Sequence, residues 1–85
     1  MNYKWMSLNE IAEYEQEMEA LKVSEVARSR SGFLPQYKRA NGNWKNLNEY
    51  WIKKRNAFIA RHLVQYKKNP TYRRKLALIA WAYMP

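Results

Sequence analysis

With 85 residues and no cysteine, the chain has room for one small domain that buries roughly 60 to 65% of its unfolded surface, and it excludes both a disulfide staple and a thiolate metal site. Its net charge of +9 is divided by position: residues 1–25 carry Glu10, Glu13, Glu15, Glu17, Glu19 and Glu25 against Lys4 and Lys22, a balance of −4, and the remainder carries fourteen Lys and Arg against Glu49 alone, a balance of +13. Such asymmetry points to a polyanionic partner, nucleic acid first, with the acidic part as an internal or partner-facing counterweight.

Two glycines, three prolines and the lack of an alternating strand pattern leave helices as the expected elements. Ser7 and Glu10 form a capping box, after which Leu8, Ile11, Tyr14, Met18 and Leu21 recur at helical spacing. This predicts an acidic amphipathic helix to about Val26, its early acids suited to the positive helix start. Between Ala27 and Asn46 the chain reads as a connector with one short helix near Leu34 to Ala40: Gly32 breaks the pattern, Pro35 suits a first helical position, and Asn41 with Gly42 is a stop signal. Asn46, with Glu49 three residues later, is expected to cap a third helix running to about Lys68. Asn69 and Pro70 are expected to end it and to open a fourth, whose run from Leu76 to Tyr83 is apolar on nearly every side.

Four Trp, seven Tyr and two Phe compensate for the small core, since each can bury about 150 to 250 Å². The first twenty residues lack the apolar core of a signal peptide, and the apolar run Leu76 to Met84 is nine residues where a spanning helix needs about 20. A soluble intracellular protein without a membrane partner is the expectation.

At about 100° per residue the third helix separates into an apolar side (Trp51, Phe58, Ile59, Leu63, Tyr66) and a cationic one (Lys53, Lys54, Arg61, Lys67, Lys68). One such face on one helix is ordinarily a solubilising surface. Here Arg28, Arg30, Lys38, Arg39, Lys45, Arg73, Arg74 and Lys75 repeat the sign with Glu49 as the sole acid, and Glu49 serves as a cap and as the i,i+4 partner of Lys53. A surface designed only for solubility would mix signs. Arg73, Arg74 and Lys75 sit at a helix start, where cations oppose the macrodipole. With the Thr71 hydroxyl and free amides they could grip a phosphate, or they could pair with the acidic first helix folded over them.

Other signals are weaker. Arg55 and His62 fall in the apolar stripe of the third helix; His62 reads as a satisfied core or boundary residue, and Arg55 is expected to stack on Trp51 or Phe58 or to pair with an acid of the first helix. Ser29 and Ser31, alternating with Arg28 and Arg30, read as a hinge. Of the aromatics Trp5, Phe33, Tyr37, Trp44, Tyr72 and Trp81, most read as core, with Tyr37 and Trp44 the best candidates for stacking on bases. A helix-turn-helix around Lys68, Asn69 and Pro70 is conceivable, but its second helix is too apolar beyond Lys75 for a usual recognition helix. Enzyme motifs are missing, with no Gly-rich phosphate loop, no Cys nucleophile and no HExxH, so no catalytic residue, metal ligand or cofactor is expected.

The strings VARSRSGFLPQYKRA, YWIKKRNAFIARHLVQYKK and PTYRRKLALIAWAYMP carry the combination RSxSGF, KRxxFIARH and RRxLALIxWAY. This combination resembles a small domain of bacteriophage proteins, marine phages included, and of large DNA viruses. The resemblance covers Val26 to Pro85 and leaves the acidic helix outside it. It implies a viral origin, hence a place in the host cytoplasm or the virion, and no known activity.

The sequence thus predicts an all-α fold of about four helices, in which 26–85 is a basic helical domain and 1–25 a variable acidic addition. The leading functional expectation is non-enzymatic, largely sequence-independent binding of nucleic acid, DNA ahead of RNA. Its contacts would be Arg28, Arg30, Lys38, Arg39, Lys53, Lys54, Arg61, Lys67, Lys68, Thr71, Arg73, Arg74 and Lys75. The alternative is a protein-binding module, a host-factor inhibitor or minor virion component, whose basic face meets an acidic protein surface.

Overall fold

Capping chemistry sets the boundaries of the helices in the computed structural model, which describes residues 3–85. The Ser7 hydroxyl accepts from the Glu10 amide at 3.2 Å and the Glu10 carboxylate accepts from the Ser7 amide at 3.0 Å, opening α1 (Leu8–Ala20). These bonds hold the Glu10 carboxyl below the usual carboxylate range. The helix stops short of Val26. Lys22 turns left-handed at φ 54°, the Val23 amide donates back to the Met18 carbonyl and the Lys22 amide to that of Glu19, and Val23 rather than Val26 enters the core. No glycine or asparagine marks this Schellman-type stop.

A single turn, α2 (Glu25–Arg28), leads to α3 (Phe33–Arg39), with Gly32 as N-cap and Pro35 in the first turn, where its missing amide costs no helix bond. Gly32 is extended, and its necessity is steric: a Cβ there would lie 2.0 Å from the Val26 carbonyl oxygen and 2.6 Å from that of Ala27. Asn41 and Gly42, both left-handed, end α3 as the stop signal implies. Asn43 then caps a 3-10 turn over Trp44–Asn46. The long helix α4 (Glu49–Lys68) is capped by Asn48 rather than Asn46, its side chain accepting from the Tyr50 amide at 2.9 Å. Likewise Thr71, two residues beyond the expected Asn69, caps α5 (Tyr72–Ile79) by accepting from the Arg74 amide.

The fold is all-α, with no strand among the described residues; its radius of gyration of 11.9 Å matches about that of one compact body of this length. Both α1 and α4 pack on α5. One core takes Ile11, Met18 and Val23 from the acidic part and Phe33, Leu34, Tyr37, Leu76 and Ile79 from the basic part. The expected division at residue 25 is therefore not a packing boundary. With Ile11 and Met18 at 1% and 0% exposure, each burial contributing about 1.5 to 3 kcal/mol, α1 contributes to that core.

The tight approach of α2 to Gly32 has a measurable consequence. Gly32→Ala forces backbone apart from backbone, and the variant should lose about 2 kcal/mol or more in urea unfolding. Wild-type stability in that variant would mean that α2 does not pack as described.

Candidate nucleic-acid interface

The outer side of α4 gathers exposed cations. Lys54, Arg61 and Lys68 are all exposed and, seven residues apart, form a row within about 40° of arc and about 21 Å long. Tyr50, 49% exposed, continues the row one turn earlier, with the Lys54 ammonium 5.4 Å from its ring centroid. Lys53 and Lys67 form a second exposed row, and Val64 between the rows is 54% exposed. The acid on this helix, Glu49, reaches Lys53 only at 3.8 Å with both side chains largely in solvent, a pair of little energetic weight. Lys67 and Lys68 also suit the negative end of the helix.

The other cations divide differently. Arg28 is half-buried and donates through Nε to the Val23 carbonyl at 2.9 Å and through Nη2 to that of Met18 at 3.3 Å. Arg73 reaches the same helix end, donating to the Leu21 carbonyl at 2.6 Å and the Lys22 carbonyl at 3.4 Å. Arg74 takes the Asn69 carbonyl at 2.9 Å, just past the end of α4. These guanidiniums bind carbonyls at and just past the points where helices stop, which accounts for Arg73 and Arg74 at a helix start without a bound phosphate. The Thr71 hydroxyl is spent on its own helix cap. Lys75 lies 5.9 Å from the Tyr14 ring centroid, and Lys38 pairs with Glu15 at 2.9 Å. Arg30 and Arg39 are exposed, Arg39 donating to Gln36 at 3.3 Å. The structure thus brings Lys53, Lys54, Arg61, Lys67 and Lys68 together and sets Arg28, Thr71, Arg73 and Arg74 to internal tasks. The acidic helix meets α5 less through carboxylates than through these carbonyls, although the Tyr72 hydroxyl does donate to Glu17.

Arg55 differs from expectation in its partners. It is 0% exposed, stacks on Trp5 with Cζ 3.6 Å from the ring centroid, and donates to the carbonyls of Trp81 at 2.7 Å, Ala82 at 2.9 Å, Lys4 at 2.5 Å and Tyr3 at 3.5 Å. Neither a cation–π contact with Trp51 or Phe58 nor an ion pair with the acids of α1 is formed among the described residues. Burial pushes its pKa down to about 10, so it stays a cation at neutral pH. His62 stacks on Phe58 with centroids 4.0 Å apart, and burial with the neighbouring Arg61 lowers its pKa. Tyr37 is corrected as a stacking candidate: it is 1% exposed and donates its hydroxyl to the Met6 carbonyl at 2.6 Å. Trp44 is 42% exposed and lies nearly parallel to Trp5. Tyr50 went unrecognised in sequence although the same helical period places it in line with Lys54. In α5, Leu76, Leu78 and Ile79 are buried.

No group of three or more potential metal-ligating side chains occurs among the described residues, and no helix among them is long and apolar enough to cross a membrane. Comparisons with protein-family models, curated proteins and solved structures find no match.

The two classes of cation should separate experimentally. Arg28→Gln, which leaves the Val23 carbonyl at the end of α1 without its donor, should cost about 1 to 2 kcal/mol in urea unfolding. Lys54→Gln should stay within about 0.5 kcal/mol of wild type. Equal stability of the two variants would contradict this division.

Proposed function

We propose that this protein is a non-enzymatic nucleic-acid binder that uses the outer face of α4 on phosphates, largely without regard to sequence. The observation that carries the reading is the double row of exposed cations, Lys54, Arg61 and Lys68 beside Lys53 and Lys67, opposed by one distant carboxylate at 3.8 Å. Lysine, four of these five, is a flexible point charge rather than a planar fork that reads a base edge. Each phosphate neutralised releases counterions, so binding driven by this face depends steeply on salt. The viral origin implied by the resemblance fits such a role in genome handling in the host cytoplasm or the virion and belongs to the same proposal.

Titration of a labelled duplex DNA at several salt concentrations tests it. Five phosphate contacts give a slope of log affinity on log salt of about −4 to −5, and the triple variant K54Q/R61Q/K68Q should bind more weakly with a slope shallower by about 2 to 3. All three positions are exposed, so thermal stability should be kept. A flat salt response would sink the reading. A partner that survives nuclease in a pull-down, together with no binding to DNA or RNA, would instead identify an acidic protein surface as the target.

A further inference from the structure

Beside the Lys53 row, the start of α4 faces a recess of about 250 Å³ lined by Tyr3, Trp5, Trp44, Ile52 and Asn56. Three aromatic rings, one aliphatic wall and one amide make up its surface. It is smaller than the roughly 300 to 1,000 Å³ pockets that enclose drug-sized ligands, and so suits a single flat group. Trp44 is its outer side: held in the 3-10 turn by the Asn43 cap, 42% exposed, and within 12° of parallel to Trp5 at 6.2 Å between centroids. Trp5 is the fixed side, because the Arg55 guanidinium sits 3.6 Å from its ring centroid and Tyr37 5.4 Å. Asn56, half-buried on the helix, brings an amide that can both donate and accept.

Each segment that builds the recess also carries a lysine in its sequence. Lys4 lies between Tyr3 and Trp5, Lys45 follows Trp44, and Lys53 follows Ile52; all three are exposed, and the Lys45 ammonium is 6.0 Å from the Trp44 ring centroid. A purely apolar peptide would make no use of the lysines on these three segments. A flat, hydrogen-bonding ring carried on a polyanionic backbone would use every group present.

We propose that this recess takes one unpaired nucleobase of a single-stranded nucleic acid, stacked on Trp44, with its flanking phosphates on Lys45 and Lys53. The inference rests on the nucleic-acid reading of α4 and narrows it, because a base locked in a duplex cannot enter. Single strands therefore bind in preference to duplexes of equal length, with the α4 lysines holding the phosphates that follow.

The test uses the full chain, a fifteen-nucleotide oligothymidine, an abasic oligonucleotide of the same length, and a duplex, at one salt concentration. Wild type should bind oligothymidine about tenfold more tightly than the abasic strand, equivalent to about 1.4 kcal/mol, and more tightly than the duplex, with quenching of tryptophan fluorescence. Trp44→Ala should lose that tenfold on oligothymidine while keeping its duplex affinity, and Trp44→Phe should retain most of it. Equal binding of oligothymidine and the abasic strand by wild type overturns the inference whatever the variants do. In that outcome the α4 reading still stands if K54Q/R61Q/K68Q weakens both strands. Failure of every nucleic acid to bind overturns both, and quenching by a proline-rich peptide but not by oligothymidine assigns the recess to peptide and overturns the base site.

Discussion

A buried guanidinium without a carboxylate organises this domain. Taking a charge out of water costs several kcal/mol even after relaxation, and Arg55 offsets that cost with backbone carbonyls from two distant parts of the chain, Tyr3 and Lys4 on one side and Trp81 and Ala82 on the other. The latter pair follows directly on α5, whose C-terminal end is the negative end of its dipole. Ala82 is held left-handed at φ 61°, and its carbonyl accepts from both Arg55 and the Met6 amide. The face of Trp5 completes the cage. One side chain of α4 thereby fixes the segment before α1 and the end of α5, and with them an aromatic core in which Trp5 meets Phe33 and Tyr37, and Phe33 meets Trp81.

The same chemistry recurs at lower cost near the surface. Arg28 and Arg73 close the end of α1, and Arg74 that of α4. Guanidinium suits this work because its planar fork meets two carbonyls at once. Lysine takes the other role: Lys45, Lys53, Lys54, Lys67 and Lys68 all stay in solvent, and of the arginines near them Arg61 does too. The chain's positive charge thus performs two tasks, and residue type largely separates them. What remains free for a polyanion is narrower than the count of cations suggests, and it is concentrated on one helix.

How much of this was legible in sequence follows from which groups do the recognising. The cationic and apolar sides of α4 were legible because a twenty-residue helix repeats its period several times, and the exposure of Lys53, Lys54, Arg61, Lys67 and Lys68 agrees with it. The anomaly of Arg55 in the apolar stripe was also legible, but its partners were not, since a backbone carbonyl has the same sequence signature at every position. That is also why Arg73 and Arg74 read as an anion grip. The end of α1 was hidden because the left-handed residue is Lys22, where glycine or asparagine would have announced it. Tyr37 was misplaced because α3 is too short, at seven residues, to show which of its sides faces the core.

Equilibrium urea unfolding of Arg55→Met and Arg55→Lys tests the central claim most directly. Methionine fills much of the volume but leaves the Lys4 and Trp81 carbonyls without their donor, at about 1 to 3 kcal/mol for each orphaned group. The account predicts a loss of about 2 to 4 kcal/mol for Arg55→Met, a large part of the stability of a domain this small, and only partial recovery in Arg55→Lys, whose point charge cannot reach both ends of the cage. Wild-type stability in Arg55→Met would contradict it, showing that the buried guanidinium is tolerated by this fold rather than holding it together.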